Sequence, residues 1–260
     1  MTPIALRSVT KVFPRGNDSV VALEQTNLEI DPGEILCVVG PSGCGKTTVL
    51  NLIAGFIEPT AGEVLIGGQP AGPPDARRAV VFQQDAVFPW LTVRRNIEYG
   101  PRMQGLRTAD AAARVEHFMD IVGLSDFADA FPKQLSGGMR KRVDLARAYV
   151  SNPQVLLMDE PFGALDVFTR EAMWLALRRV LSEDPKTVFF VTHDIEEAIF
   201  VGDRIVVMTP RPAKVRADIT VPFARDRELD IRASNEFQAL RLEINAYFSN
   251  PHEVPRKATA

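Results

Sequence analysis

The stretch 34-EILCVVGPSGCGKTT-48 places a glycine-rich loop directly after a short apolar run. Residues 35–39 are apolar throughout, which predicts a buried β-strand. The following segment, 46-KTTVLNLIAGF-56, has helical character, and we predict a helix that begins at Lys46 or just before it. The stretch therefore predicts a strand, a tight loop and a helix in immediate succession.

The loop matches the phosphate-binding pattern G-x-x-x-x-G-K-[ST] at Gly40, Gly45, Lys46 and Thr47. Glycines allow backbone N–H groups to converge on an anion, and the helix N-terminus adds partial positive charge. Lys46 can reach the β- and γ-phosphates of a nucleotide, and the Thr47 hydroxyl can bind Mg²⁺. The alternative is a glycine turn that only ends a strand. The predicted nucleotide-binding residues of the loop are Gly40, Pro41, Ser42, Gly43, Cys44, Gly45, Lys46, Thr47 and Thr48.

A second apolar run, 155-VLLMDE-160, ends in two carboxylates. Asp159 emerges at the end of a predicted buried strand, where it can hold the hydration shell of Mg²⁺. Glu160 follows and can polarise an attacking water molecule. The alternative is a strand that stops in a polar turn, which the presence of the phosphate loop disfavours.

Composition restricts the class of protein. The chain has 260 residues, 46% of them hydrophobic and 24% charged, with a formal net charge of −3. These values are typical of a soluble globular protein and provide no basic field for nucleic acid or anionic lipid. No stretch reaches the ~18 apolar residues of a membrane span, so we expect a cytoplasmic protein. The two cysteines, Cys37 and Cys44, indicate a reducing compartment. Cys44, beside Lys46 and a helix N-terminus, is expected to be an acidic thiol that the bound nucleotide protects from alkylation.

Apolar strands that alternate with helices predict an α/β fold with a mainly parallel, buried sheet, the core of a P-loop NTPase. Strand patterns recur at 154–159, 187–194 and 203–209, and an antiparallel hairpin is predicted from 4–9 and 20–30. Residues 86–150 have helical periodicity only, which predicts an inserted α-helical subdomain. Its clearest helix has Thr108 as N-cap and an apolar face of Val115, Phe118, Met119 and Val122. A second amphipathic helix is predicted at 234–248, with the stripe Phe237, Leu240, Ile244 and Phe248.

The segment 135-LSGGMRKRVDLARA-148 resembles the signature motif of ATP-binding cassette (ABC) ATPases. It follows the phosphate loop and precedes the two carboxylates, as in that family, and the resemblance extends over residues 4–215. It implies a single ABC ATPase domain over 1–260. The implied parts are a catalytic core (1–85 and 151–215), a helical subdomain (86–150), a C-terminal helical extension (216–250) and a flexible tail (251–260).

The resemblance also implies roles for single residues. Phe13 is similar to the aromatic residue that stacks on adenine, with a core phenylalanine as the alternative. Gln83 is similar to the glutamine that contacts Mg²⁺ and links the nucleotide to the helical subdomain. In 163-GALD-166, Asp166 resembles the D-loop aspartate at a dimer seam, and His193 resembles the switch histidine. The implied cofactors are ATP and Mg²⁺, and the implied metal ligands are Thr47, Gln83 and Asp159.

The implied mechanism needs two copies of the chain. Ser136, Gly137 and Gly138 would approach the ATP held by the second subunit of a homodimer. Glu160 would orient the attacking water, and Lys46, Gln83 and His193 complete the catalytic set. Hydrolysis would then reopen the seam between the copies.

The absence of a predicted span implies separate membrane permease subunits, with this chain on the cytoplasmic face of the membrane. Residues 85–100 are the predicted docking surface, where Phe88 and Trp90 form a socket for a partner helix or, alternatively, pack in the core. The segments 160-EPFGALDVFTRE-171 and 192-THDIEEAIF-200 resemble importer subunits for taurine, alkanesulfonates and nitrate. An external solute-binding protein and the permease would select the solute, so bicarbonate and a pyrimidine precursor also remain open.

Lys141 and Asp144 depart from the glutamine and glycine that are common in that subfamily. The basic run 140–142 is interpreted as a solvated helix face. Two other classes of protein share part of the pattern. A soluble cassette ATPase of DNA repair or translation usually has coiled-coil insertions or two cassettes. A P-loop kinase would leave the signature segment and His193 without a role. We therefore expect no nucleic-acid partner.

Overall fold

The computed structural model describes residues 1–16, 18–106 and 108–249. The strands, in chain order, are β1 (Ile4–Arg15), β2 (Asp18–Ile30), β3 (Ile35–Val39), β4 (Ala61–Ile66), β5 (Gln69–Pro70), β6 (Arg78–Val81), β7 (Val155–Asp159), β8 (Thr187–Val191), β9 (Arg204–Met208) and β10 (Val215–Thr220). The helices are α1 (Lys46–Ala54), α2 (Val93–Ile97), α3 (Tyr99–Met103), α4 (Ala109–Ile121), α5 (Gly137–Val150), α6 (Val167–Glu183), α7 (Ile195–Val201) and α8 (Asn235–Ser249).

The central sheet has six strands in the order β10-β9-β3-β8-β7-β6. All neighbouring strands are parallel except β10, which pairs antiparallel with β9. Strands β3 and β8 are buried along their whole length, as expected where both faces of a parallel sheet are covered. The carboxyl ends of β3, β7 and β8 carry the phosphate loop, the two carboxylates and His193. In open α/β sheets this edge is the usual ligand-binding edge.

Two layers cover the two faces of the sheet. Along β3, Ile35, Cys37 and Val39 pack into a core with α4–α8. Leu36 and Val38 point the opposite way, into a core with α1 and the N-terminal strands. The alternation follows from the two-residue period of a strand. The phosphate loop and α1 therefore lie between the two sheets.

The N-terminal strands form an antiparallel sheet in the order β2-β1-β4-β5. Strand β1 pairs with β2 from Ile4 opposite Ile30 to Arg15 opposite Asp18. The predicted antiparallel hairpin is confirmed, and β1 extends six residues beyond its predicted end at Val9. The α/β fold class, with its mainly parallel sheet, is likewise confirmed.

Residues 93–150 contain α2 to α5 and no strand among those described. Thr108 caps α4, since its hydroxyl accepts a hydrogen bond from the Ala111 N–H at 3.2 Å. Val115, Phe118 and Met119 are buried, as the periodicity predicts. Within the described ranges, no helix combines the length and the hydropathy that a membrane crossing requires.

The chain after residue 210 differs from the prediction at one point. Strand β10 crosses the boundary predicted between 215 and 216, where no strand was predicted. Its pattern, VRADIT, is half-exposed and polar, which is typical of an edge strand with weak hydrophobic signal. Helix α8 is confirmed with Phe237, Leu240 and Ile244 buried. The predicted flexible tail, 251–260, lies outside the described residues.

The C-terminal extension is attached to α7, the helix that follows His193. The buried guanidinium of Arg227 donates to the carbonyls of Ile199, Phe200 and Gly202 at the end of α7, which satisfies acceptors that a helix C-terminus leaves open. Arg232 and Arg241 both pair with Glu196 on the same helix. Residues 216–249 therefore stabilise the position of α7 against the sheet.

Candidate functional site

The phosphate loop connects β3 to α1 in a conformation that requires glycine at two positions. Gly43 has φ +72° and Gly45 has φ +124°, values that L side chains rarely adopt. Gly45 is the N-cap of α1, with no side-chain cap and no acidic residue in the first turn. The N-terminus of this helix is therefore available for an anion. Ser42 is exposed and Thr48 half-buried beside it.

The loop is held by two basic side chains. Lys46 is buried, and its Nζ donates to the carbonyls of Gly40 at 2.7 Å and Pro41 at 3.2 Å. Arg211, in the turn after β9, donates through Nε to the Gly43 carbonyl. Arg211 was not predicted, because its only local signal is a proline on either side, in 209-TPRPA-213.

Cys44 is buried within the phosphate loop. Its side chain is 1% exposed, and its Sγ lies 2.9 Å from where a Cβ on Gly40 would stand. An alkylating reagent can reach the thiol only if the loop opens, whether nucleotide is bound or not. The loop itself buries the sulfur, which the sequence did not indicate, and protection of the thiol by ATP stays a prediction.

Thr47 and Asp159 meet at the base of the loop. The Thr47 hydroxyl donates to Asp159 Oδ1 at 3.2 Å, and burial raises the pKa of Asp159 above its usual value. The protein thus does not fully compensate the cost of burying the charged carboxylate, and a cation beside Asp159 would stabilise its charged form. Hydroxyl and carboxylate oxygens are ligands that suit Mg²⁺. Among the described residues, no group of three or more His, Cys, Asp or Glu side chains has a metal-binding arrangement.

Glu160 joins two of the predicted residues. Its Oε2 accepts from Gln83 Nε2 at 3.3 Å and lies 3.1 Å from His193 Nδ1. The three side chains come from three separate connections of the sheet, which follow β6, β7 and β8. The structure therefore brings an amide, a carboxylate and an imidazole together next to Thr47 and Asp159.

The backbone of Glu160 is strained. Its φ is +45°, a left-handed value that is unusual for a residue with a long side chain. Such a conformation costs of the order of 1–3 kcal/mol and is found most often at functional sites. The N–H of Glu160 donates to Val191 at 2.9 Å, and its carbonyl accepts from Gly163 at 3.2 Å. These two bonds hold the carboxylate in place at the sheet edge.

The signature and D-loop residues act locally as helix caps. The Ser136 hydroxyl accepts from Met139 N–H at 3.2 Å at the start of α5, and Asp166 accepts from Thr169 N–H at 3.0 Å at the start of α6. A Cβ on Gly138 would stand 2.6 Å from Thr169 Cγ2, so the two helix starts are packed together. In the described part of the chain, no hydrogen bond or ion pair joins residues 136–138 to the phosphate loop.

The three aromatic residues that the sequence singles out, Phe13, Phe88 and Trp90, have exposed or partly exposed rings. Phe13 is 36% exposed and carries Lys11 Nζ at 5.1 Å from its ring centroid, so its alternative as a core residue is wrong. Trp90 is 71% exposed, which rules out core packing of both rings at the predicted docking surface. Phe88 is half-buried, with its ring centroid 5.6 Å from that of Trp90 and 4.5 Å from that of Tyr99.

Glu197, on α7 one turn after His193, is buried and accepts from Trp174 Nε1 at 2.8 Å. Burial raises its pKa from an ordinary 4.5 to about 7, against the opposing effect of its hydrogen bonds. Because the folded pKa is the higher one, the folded protein binds more protons between these values. The contribution of Glu197 to stability is therefore fully present below about pH 4.5 and is lost as the pH rises to about 7.

We expect Glu197→Gln to remove this dependence and to make the protein more stable at pH 8 by up to about 3 kcal/mol, since the amide keeps an acceptor for Trp174. Urea unfolding at pH 5.5 and 8 measures the effect. Glu243→Gln, on the exposed face of α8, is the control and should follow the wild type. Parallel stability profiles for the two variants would contradict the prediction.

Comparison with known proteins gives consistent matches. A protein-family model described as ABC transporter matches residues 23–163. The taurine import ATP-binding protein TauB of Jannaschia sp. (strain CCS1) is 45% identical over 250 residues, which cover 94% of this chain and 93% of the relative. That of Pelagibacter ubique (strain HTCC1062) is 41% identical over 259 residues, with 97% of each covered.

Two solved structures have the same fold. The dimeric structure of a bacterial ABC transporter cassette superposes with a TM-score of 0.74 at 36% identity, and covers 85% of this chain and 100% of that one. A dimeric post-hydrolysis state of an ATP-binding cassette, bound to ADP and Pi, has a TM-score of 0.73 at 35% identity, with the same coverage. The relatives found by sequence and those found by structure are thus proteins of the same kind, namely ATP-binding proteins of ABC transport systems.

Proposed function

Since the chain belongs to the ABC transporter family, as one of its ATP-hydrolysing subunits, we propose that two copies of it drive a membrane importer. The observation that carries the proposal is the position of Glu160, within hydrogen-bond distance of Gln83 and His193. A phosphate loop alone would also serve a kinase. A carboxylate placed to orient water, together with a signature helix, favours hydrolysis.

We assign roles to the residues of this site. The loop and the N-terminus of α1 hold the phosphates, and Lys46 offsets the charge that develops on the γ-phosphate. Glu160 accepts a proton from the attacking water, while His193 stabilises the reacting phosphate. Mg²⁺, when bound by Thr47, Asp159 and Gln83, adds electrostatic stabilisation. Phe13, with its exposed ring on β1, stacks on adenine.

The signature residues are proposed to act on the nucleotide of a second copy. Ser136 is the N-cap of α5. The N-terminus of this helix is exposed and has no hydrogen bond to the phosphate loop of its own chain in the described structure. A helix N-terminus of this kind binds an anion presented by another molecule. The dimeric state of the two similar solved structures supports a homodimer with two ATP molecules in its seam.

A groove of about 380 Å³ is proposed as the docking site for a permease. Its lining includes Phe88, Tyr99 and Arg147, and the Arg147 guanidinium lies 4.9 Å from the Phe88 ring centroid. Exposed aromatic residues around a concave site fit a short helix of a membrane subunit. The chain would then work at the cytoplasmic face of the cell membrane, and a solute-binding protein would deliver the solute to the permease.

We propose taurine, or a related alkanesulfonate, as the solute. The similarity to taurine import proteins over 93–97% of their length supports this choice. Cells that lack this chain are expected to lose uptake of radiolabelled taurine, and the wild-type chain should restore it. Persistent taurine uptake in the deletion strain would contradict the proposed solute, and parallel uptake assays with alkanesulfonates and nitrate then identify the transported one.

A variant beside the groove tests the docking site, because the exposed Trp90 ring lies next to that of Phe88, which lines the groove. We expect Trp90→Ser to reduce restored uptake about 10-fold or more, because truncation of an aromatic interface anchor costs about 2 kcal/mol. The ATPase activity of the isolated subunit should not change. Leu242→Ser, which alters a side chain 64% exposed on α8, is the control. Full uptake with Trp90→Ser would exclude this surface from docking.

A further inference from the structure

Three basic side chains of α5 bind the segment that carries Gln83. Arg140 Nε donates to Asp85 Oδ2 at 2.9 Å, and Arg147 Nη1 donates to the Ala86 carbonyl. Lys141 lies between them, and its Nζ donates to the carbonyl of Phe82 and, at 3.1 Å, to that of Gln83. The signature helix and residues 82–86 are therefore connected by direct polar contacts.

Lys141 is 3% exposed, so its interpretation as part of a solvated face is wrong. The counter-charge of Lys141 is the carboxylate of Asp144, a residue that is 1% exposed. Asp144 Oδ2 lies 3.9 Å from Lys141 Nζ. Arg147 Nη2 donates to the other oxygen, Oδ1, at 2.7 Å. Asp144 Oδ2 has no hydrogen-bond partner, so it compensates the ammonium by charge alone. Burial lowers the pKa of Lys141 and raises that of Asp144.

A buried ion pair is a costly way to stabilise a helix, because desolvation consumes much of the attraction between the charges. A glutamine and a glycine, the residues common in the resembling subfamily, would avoid that cost. What Lys141 adds is a donor for two consecutive carbonyls of the chain at Gln83. The side chain of Gln83 donates from Nε2 to Glu160 Oε2 at 3.3 Å.

We propose that Lys141 is a positioning residue for hydrolysis. It holds the backbone of Gln83 against the signature helix, and Asp144 keeps the ammonium charged in the buried site. The Gln83 side chain is thereby fixed relative to Glu160, so a shift of α5 would alter the position of the amide at the carboxylate. This inference rests on the proposed roles of Gln83 and Glu160.

The test separates positioning from simple packing. In an Asp144→Asn background, which leaves no unpaired acid, we compare Lys141→Met, which has no donor, with Lys141→Gln, which keeps one. We expect kcat for ATP hydrolysis by the isolated protein to decrease about 10-fold or more in the Met variant. The KM for ATP should change less than about threefold, and the Gln variant should recover most of kcat.

Arg142→Met is the matched control, because Arg142 is the next residue on α5 and donates to Val122 instead, at 3.4 Å. Its kcat should equal that of the wild type. Equal kcat in the Met and Gln variants would overturn the proposal, as would a loss of kcat that only follows a loss of thermal stability. Glu160→Gln is assayed in parallel. If it retains hydrolysis, the proposed site fails together with this inference, whereas its inactivity beside a fully active Lys141→Met overturns the inference alone.

Discussion

Glu160→Gln is expected to lower kcat for ATP hydrolysis by about 10²–10⁴-fold, the range for loss of a positioned general base. The glutamine has the same shape and still contacts Gln83 and His193, but it cannot accept the proton of the attacking water. ATP affinity should stay within about threefold, because the phosphate loop is unchanged. Steady-state hydrolysis and equilibrium binding of a fluorescent ATP analogue measure the two quantities.

Glu243→Gln serves as the control for loss of one carboxylate on the surface. The Glu160→Gln variant, with ATP and Mg²⁺, should also accumulate as a dimer, because it binds the nucleotide and does not cleave it. Size-exclusion chromatography with light scattering detects this species. Hydrolysis near the wild-type rate would reject Glu160 as the base, and a monomer under these conditions would reject the shared site.

The sequence could predict the site where the motif itself creates the geometry. Gly43 and Gly45 have backbone angles that only glycine adopts freely, so the pattern of glycines determines the loop. Asp159 follows an apolar strand, and the strand order then brings it to Thr47. Local spacing thus predicts the conformation of the loop and the position of Asp159 at a strand end, and the parallel α/β fold places both at the same edge of the sheet.

The environments of charged residues could not be predicted in this way. Arg140, Lys141 and Arg142 are one basic run in the sequence, yet Lys141 alone is buried. Its burial depends on the segment at 82–83, about 60 residues earlier in the chain, and no pattern within α5 identifies that neighbour. Arg211 and strand β10 were missed for a similar reason, since their partners are brought near only by the folded sheet.

The second prediction with a large effect concerns the signature motif. Two defective copies of the chain are expected to recover ATP hydrolysis when they pair in a mixed dimer. Lys46→Ala removes the ammonium at the phosphates. Ser136→Asp keeps an N-cap acceptor for Met139 N–H but turns a negative charge toward the partner's nucleotide. Each variant alone should lose hydrolysis by at least about 10²-fold, the scale for loss of one preorganised donor, because both sites of its homodimer contain the defect.

The mixed dimer distinguishes sites shared between two copies from sites within one copy. When a Lys46→Ala copy pairs with a Ser136→Asp copy, one shared site contains both defects and the other contains none. Purification of the mixed dimer through two different affinity tags should therefore recover activity to about half of the wild type if the sites work independently. If Ser136 served the loop of its own chain, every site in the mixture would stay defective. A mixed dimer as inactive as its parents would then contradict the proposal that the two copies share each ATP.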